Sequence, residues 1–395
     1  MSELWPKVKL GEVLRRIERL ERPAAGKTYR QLGVRLWGQG AYERESMDGA
    51  STRYAVLVRV ETSDIVVNKI WARNGSVAVV QPELTGCFVS GEFPTFELIP
   101  GKVIPRWIHW LTKTPAFWEQ CDERSRGTSG KNRIKPEQFL KVEAAVPALA
   151  EQQRIVARIE ELAIKIAEAR SLRQEAAGEA ETLARASVER SYRDLGARVG
   201  YSRLMDVCET ITDGDHVTPQ FSPTGVCFIF VGNVSMGHLH FQGSKRVSEE
   251  YFKSLRPQRV PKRGDVLYSA VGATLGVPTI VNTDEPFCFQ RHIAILKPDH
   301  RKIKSRFLWH MLRSRTIFDR TWSSTTGTAQ PTVPLRAIRE LPIPLPSLAE
   351  QREGVAYLDR LQTNVDVLKK LQAQTAAELE ALMPSILDKA FKGEL

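Results

Sequence analysis

Cysteine and histidine are scarce: the 395-residue chain has five of the first and seven of the second. Cys87, Cys121, Cys208, Cys227 and Cys288 are odd in number, widely spaced and without a Cys-x-x-Cys pair. That excludes a zinc knuckle or a redox dithiol and points to reduced, structural thiols. His238-Leu239-His240 is the only close histidine pair, and with no cysteine or carboxylate ligand beside it, it reads as a strand or turn edge, not a metal site. No apolar run approaches the roughly 18 residues of a membrane span, and Met1 to Lys7 lacks the apolar core of a signal peptide. A cytoplasmic protein is expected. Cofactor loops are missing too: there is no Gly-x-Gly-x-x-Gly after a strand, no P-loop lysine motif and no Ser/His/Asp set with supporting spacing. Hence no catalytic, cofactor-binding or metal-ligating residue is assigned.

What is present is ordinary globular composition, 42% hydrophobic and 26% charged, in a length that suits two or three domains. The formal net charge of +11 favours an acidic partner. Nucleic acid comes before membrane, because no basic amphipathic anchor is evident.

The chain repeats itself. Pro147-Ala148-Leu149-Ala150-Glu151-Gln152 returns almost unchanged as Pro346-Ser347-Leu348-Ala349-Glu350-Gln351, at an offset of 199 residues. Ser347 and Glu350 have the spacing of a capping box, which predicts a helix from Leu348. From there Leu358, Leu361, Val365, Leu368, Gln372, Thr375, Leu379, Leu382 and Ile386 follow at steps of three and four, a coiled-coil seam with two polar members near its centre. Ile155, Ile159, Leu162, Ile166, Ala169, Arg173, Ala176, Ala180 and Leu183 form the matching seam. Neither stripe has another cover, so the two seams are expected to bury each other. At about 1.5 Å per residue, helices of some forty residues reach roughly 60 Å.

The globular parts repeat as well. Asp64, Gly75, Val80 and Cys87-Phe88 align with Asp265, Gly276, Val281 and Cys288-Phe289 at an offset of 201, and Gly127-Thr128 with Gly327-Thr328 at 200. Short β-type runs such as Tyr54 to Val58 and Ser76 to Val80 lie between glycine and proline turns, and Ile104 to Gln120 is expected to be a short tryptophan-rich helix. The result is an α+β fold: two pseudo-symmetric globules, 1–147 and 196–346, joined by two long antiparallel coiled-coil helices, 148–195 and 347–395. Two similar globules on such helices suit a two-part linear target, with the helices as its ruler.

Several stretches resemble the specificity subunits of type I restriction-modification enzymes. They are Cys208 to Pro219 with its Thr212-Asp213-Gly214-Asp215-His216 core, Gly264-Asp265-Val266-Leu267-Tyr268-Ser269 with Gly272-Ala273 and Gly276, Gly327-Thr328-Ala329-Gln330, Pro344 to Gln351, and Ser385 to Leu395. The resemblance runs along the whole chain. It implies a non-enzymatic subunit that reads DNA, in which 1–147 and 196–346 are target-recognition domains for the two halves of a bipartite site and the helices are spacers. The implied partners are double-stranded DNA, two modification (methyltransferase) subunits and, in the full complex, restriction subunits. S-adenosylmethionine is expected in the modification subunit and not in this chain. The first globule departs from the pattern: Gly127-Thr128-Ser129-Gly130 lacks the glutamine found at Gln330, and the Asp213 to His216 motif has no counterpart.

Sequence is read by side chains that fork onto base edges, while other cations hold phosphates. The candidates in the second globule are Thr212, Asp213, His216, Asn233, Lys245, Arg246, Ser269, Gln290, Arg291 and Gln330. In the first globule they are Lys27, Arg30, Arg73, Asn74, Lys131, Asn132 and Arg133, the last three from the glycine-bearing basic stretch Arg124 to Arg133. The competing readings are a coiled-coil scaffold that joins proteins without specific DNA binding, and an enzyme hidden in the globules.

Overall fold

The computed structural model describes residues 5–127, 132–235, 237–327 and 331–395. Two compact units emerge, Met1–Leu172 with Ala373–Leu395, and Arg173–Gln372. Each holds one globule and segments of both long helices.

The first unit is built on a four-stranded antiparallel sheet in the order Val77–Val79, Ile65–Val67, Thr95–Leu98, Leu14–Ile17. Alternation along the strands sends side chains to opposite faces. Ile65, Val67, Val77 and Val79 pack with Trp107, Ile108, Phe117 and Phe139, while Val66 and Ala78 pack with Leu32, Val58 and Val89. Both faces are therefore buried. The helical side of this core is completed by Ile155 and Ile159 from the first long helix and by Leu387 and Ala390 from the second.

The second unit has the same sheet in the same order: Pro278–Ile280, Val266–Ser269, Ile293–Pro298, Cys208–Asp213. Val266, Tyr268, Ala294 and Leu296 face Phe307, Leu308 and Met311, and Leu267, Ile293 and Ile295 face Cys227, Ile229 and Phe287. The aligned aspartates explain themselves here. Asp64 accepts from the Glu61 N–H (2.8 Å) and binds Arg19 (2.5 Å), and Asp265 accepts from the Lys262 N–H (2.8 Å) and binds Lys297 (2.5 Å). Each closes the turn that launches the second strand of its sheet, so this part of the repeat is architectural.

The second sheets differ. In the first unit three antiparallel strands, Phe88–Val89, Leu57–Arg59 and Leu20–Glu21, form it. In the second there are four, Phe221–Ser222, Lys245–Val247, Val226–Phe228 and Phe287–Cys288, and the last pair is parallel.

The long helices run Leu149–Val199 and Leu348–Lys392. The second starts at the predicted residue: the Ser347 N–H donates to Glu350 Oε2 (2.9 Å) and the Glu350 N–H to Ser347 Oγ (3.4 Å). Ser347 and the Arg198 guanidinium hold the Glu350 carboxyl down at about 2. The first helix passes the expected end near 195 and stops at Gly200, whose φ of +79° suits a residue without a Cβ. Inside each unit the segments are antiparallel. Arg154 meets Leu395 and Arg170 meets Leu379 in the first unit; Arg173 meets Gln372, Glu181 meets Lys369 and Arg198 meets Glu350 in the second. Rising numbers on one helix meet falling numbers on the other.

Three expectations need correction. The heptad stripe is right at Ile155, Ile159, Ile166, Leu358 and Val365, which are buried, but Leu183 is 61% and Leu382 44% exposed. A real helix turns every 3.6 residues, so a strict 3.5 repeat drifts by about 20° per heptad. Toward its far end the buried stripe has moved to Val188 and Tyr192 on the first helix and to Leu387 and Ala390 on the second. The tryptophan-rich helix is two helices, Pro105–Leu111 and Pro115–Glu123. Pro115 disfavours helical backbone at Thr114, whose Oγ1 instead accepts from the Phe117 N–H (3.3 Å) as a cap. The run from Tyr54 becomes a strand only at Leu57–Arg59.

Candidate nucleic-acid interface

In the second unit the strand Cys208–Asp213 delivers its end into a tight loop. A Cβ on Gly214 would stand 2.2 Å from the Phe289 carbonyl oxygen, so only glycine lets the loop lie against that segment. The Asp215 N–H donates to Phe289 O (3.0 Å), and the Arg291 N–H donates to Asp215 O (3.1 Å). The Asp215 carboxylate accepts from the Tyr251 hydroxyl (2.9 Å), Arg259 (3.3 Å) and the His216 N–H (2.9 Å). Burial and the contact with Asp215 push the Tyr251 hydroxyl above its ordinary pKa, so it stays a donor. Asp213 holds the exposed His216 ring at 3.1 Å, and Gln290 donates to Thr218 (3.0 Å). Lys245 stands over the exposed Phe221 ring at 4.2 Å, and Arg246 donates to Gly225 O (2.7 Å).

The fold thus joins the Asp213 to His216 motif to Gln290 and Arg291. Arg291 is exposed and forms no ion pair among the described residues. Cations, a polar amide, an imidazole and aromatic rings then share one loop system. Thr212 is half-buried in its strand opposite Ile295. Two candidates leave the interface. Asn233 is buried and holds its own turn, accepting from the Phe230 N–H (2.9 Å) and donating to Gln242 O (2.8 Å). Ser269 is fully buried with its Oγ unpartnered among the described residues. Both sit where inward burial, invisible in residue type, removes them from solvent. Gln330 lies outside the described residues.

In the first unit the candidates have separate settings. Lys27 pairs with Glu21 and lies 5.3 Å from the Tyr29 ring centre. Arg30 is a strut, bonded to Glu43 (2.7 Å) and to the carbonyls of Glu83 (2.9 Å) and Thr85 (3.3 Å). Arg73 and Asn74 line a recess of about 490 Å³ with Trp71, Trp118 and Asp122. Arg133 pairs its backbone with Arg126 and its guanidinium with Glu92 (3.2 Å). Asn132 is half-buried, and Lys131 lies outside the described residues.

Sequence reasoning missed several contributors. Lys69 and Lys135 join Arg124, Arg126 and Arg133 around a recess of about 680 Å³, where five cations face the carboxylates of Glu123 and Glu137. Arg124 and Arg126 belong to the basic stretch already noted; Lys69 comes from a distant turn that no spacing connects to it. Tyr251 and Arg259 in the second unit had no signal either.

The duplicated sheet with its long helices is a fold with known counterparts. Along 100% of this chain and 98% of its own, the crystal structure of the HsdS subunit from Thermoanaerobacter tengcongensis superposes with a TM-score of 0.69 at 27% identity. A second solved chain, from a structure of complex assembly and conformational transition in the type I R-M system, shares the fold at TM-score 0.74 and 24% identity, covering 100% of this chain and 99% of its own. Residues 200–376 match the Type I restriction modification DNA specificity domain. The chain is 30% identical over 187 residues, 47% of its length and 38% of the relative's, to the Type I restriction enzyme EcoBI specificity subunit of Escherichia coli. It is 31% identical over 132 residues, 33% of its length and 29% of the relative's, to the EcoDI specificity subunit of the same organism. These matches span less than two fifths of the curated relatives. The resemblance carried by the motifs holds: the chain is similar to type I specificity subunits, in the second half by sequence and along its length by fold.

Proposed function

We propose that this chain is the DNA sequence-specificity subunit of a type I restriction-modification system. Each globule, 1–147 and 196–346, reads one half of a bipartite site on duplex DNA, and the helices set the gap and dock two modification subunits, with restriction subunits joining in the full complex. The subunit works in the cytoplasm and is itself non-catalytic. Methyl transfer belongs to the modification subunit, which carries S-adenosylmethionine.

One observation supports this above others. The two units keep the same four-stranded sheet in the same strand order, while the second sheets and the loops beside them differ. A common frame with different loops is what two unlike half-sites require. Within the second unit, the exposed His216, Lys245 and Arg291 offer groups for base edges and phosphates, and the Asp215 network fixes the loop that presents His216.

Methylome sequencing of a host that carries this chain and its modification partner tests the proposal. A single bipartite methylated motif is expected. Tight binding to the modification subunit without sequence-dependent methylation or binding would leave the scaffold reading instead.

A further inference from the structure

One turn of the first unit contributes to two recesses of different chemistry. It runs from Asn68 to Gly75, between the strands Ile65–Val67 and Val77–Val79. Lys69, at its start, joins Arg124, Arg126, Arg133 and Lys135 around the basic recess. Trp71, Arg73 and Asn74, further along, line the recess of about 490 Å³ with Trp118, Glu119 and Asp122. The turn is held from inside and from outside. Asn68 Oδ1 accepts from the Ile70 and Trp71 N–H groups (3.1 and 3.3 Å). The tip of the hairpin Leu32–Val34/Ala41–Glu43 is tied to it, the Trp37 N–H donating to Asn74 O (2.6 Å) and the Gly38 N–H to Gly75 O (3.1 Å). Trp37 takes a φ of +57°, which a bulky side chain rarely adopts, and sets its ring edge-on to Trp118 at 5.8 Å. Trp37 and Trp71 nevertheless stay 55% and 44% exposed, so packing does not account for them.

We propose that this aromatic recess receives one adenine or cytosine lifted out of the duplex stack in the first half-site, while Lys69 and the basic recess hold the phosphates beside it. The proposal rests on the reading above, in which this globule reads DNA, and adds how it reads.

The chemistry selects the occupant. Trp71 and Trp118 offer ring faces on which a base stacks. The Asn74 amide and the Glu119 carboxylate have no side-chain partner among the described residues, and Asp122 is only loosely paired with Arg73 (3.9 Å). A carboxylate accepts from the exocyclic amine of adenine or cytosine, and an asparagine amide donates to the ring nitrogen beside it. Glu119 and Asp122 turn a phosphate away from this recess. A cationic side chain of a protein partner would meet Arg73 and, next door, five cations against the two carboxylates of Glu123 and Glu137. Of those five, Lys69, Arg126 and Lys135 have no carboxylate partner among the described residues. A base site and a phosphate site on one turn match the two ends of one nucleotide.

The second unit keeps the frame of this turn without these side chains. Counting back from Gly276, the counterpart of Gly75, it has Gly272, Thr274 and Leu275 where Trp71, Arg73 and Asn74 stand, and Leu275 is buried. A surface for something that both halves share would be kept in both. A device present in one half serves what differs between them, and that is the half-site.

Fluorescent duplexes carrying the methylated bipartite site test this, with the full chain in complex with its modification subunit. 2-Aminopurine replaces each adenine of the first half-site in turn, and pyrrolo-cytosine each cytosine; both brighten when unstacked. One position is expected to brighten on binding besides the base that is methylated, which the modification subunit must itself extrude. Trp71→Ala should abolish that signal and weaken binding about tenfold or more, while Trp71→Phe keeps both and the second half-site is read as before. Urea midpoints matching wild type confirm that the variants are folded. A wild type that binds its bipartite site with no such second bright position would overturn the proposal and leave the proposed function standing. So would brightening that survives Trp71→Ala. Loss of the modification subunit by Trp71→Ala, with the signal intact in the complex that remains, would make the occupant a protein. A wild-type complex without sequence-dependent binding or methylation defeats the proposed function, and this recess with it.

Discussion

Arg173 and Gln372 exchange hydrogen bonds: the Arg173 guanidinium donates to Gln372 O (2.6 Å) and the Gln372 amide donates to Arg173 O (2.9 Å). They stand 199 residues apart, the offset of the helix repeat, so equivalent positions of the two long helices meet each other. A polar pair in an apolar seam fixes register at a cost in stability. Replacing Gln372 alone by alanine should lower stability by about 1 kcal/mol. Replacing both residues by leucine should raise it by a similar amount. Urea midpoints measure both changes, and a double-leucine protein less stable than wild type would show that the pair stabilises beyond fixing register.

Gln152 and Gln351 tie the start of each long helix to its globule. Gln152 accepts from the Ile104 N–H (3.0 Å) and donates to Lys102 O (3.1 Å) and Pro147 O (2.8 Å). Gln351 does the same with Lys304 (2.9 Å), Lys302 (2.8 Å) and Pro346 (3.0 Å). Both are fully buried. Either change to alanine strands three backbone groups and should cost about 2–3 kcal/mol in urea unfolding. A loss under about 0.5 kcal/mol would mean that water replaces the amide.

Gly214→Ala should leave the protein folded and abolish recognition by the second globule alone. The added Cβ meets the Phe289 carbonyl at 2.2 Å and must push the loop off Asp215, Tyr251 and Arg259. Methylation should lose the requirement for one half-site or fall roughly tenfold or more, as expected when about 1–3 kcal/mol per base contact is forfeited. An unchanged methylome would remove this loop from the reading surface.

Arg291 and Lys245 are exposed cations without carboxylate partners among the described residues. Each change to alanine should weaken binding to all duplexes and reduce the salt slope by about 0.9. A changed preferred sequence at constant slope would assign the residue to a base instead.

Stability should fall with acid before the carboxylates titrate. Burial pushes the His310 pKa down to about 4, against the opposing bond to Asp359, and that of His109 down to about 3. In the unfolded chain both sit near 6.5, so the unfolded state takes up protons first. Stability is therefore complete above about pH 6.5 and declines as pH falls toward the folded values. His310→Gln should flatten the decline by an amount on the order of 2 kcal/mol. Glu350, held at about 2, contributes in a lower window, from its ordinary 4.5 downward. Equal pH profiles for wild type and variant between pH 7 and 4 would contradict the role given to His310.

The sequence by itself determined the two-fold repetition, the α+β class, the start of the second long helix and the basic character, because each is local or periodic. Ser347 and Glu350 sit three residues apart and cap their own helix; Asp64 and Asp265 close turns three residues long. Tertiary structure decided what depends on burial or on distant partners. Asn233 and Ser269 resemble base readers until the fold turns them inward, and Arg30 resembles a free cation until Glu43 and two carbonyls hold it. Lys69 enters a basic recess from a turn far away in sequence, and Tyr251 and Arg259 reach Asp215 across 36 and 44 residues. The seam shows the division within one element: its period was visible in the residues, but its slow rotation, which exposes Leu183 and buries Tyr192, follows from 3.6 residues per turn in packed helices.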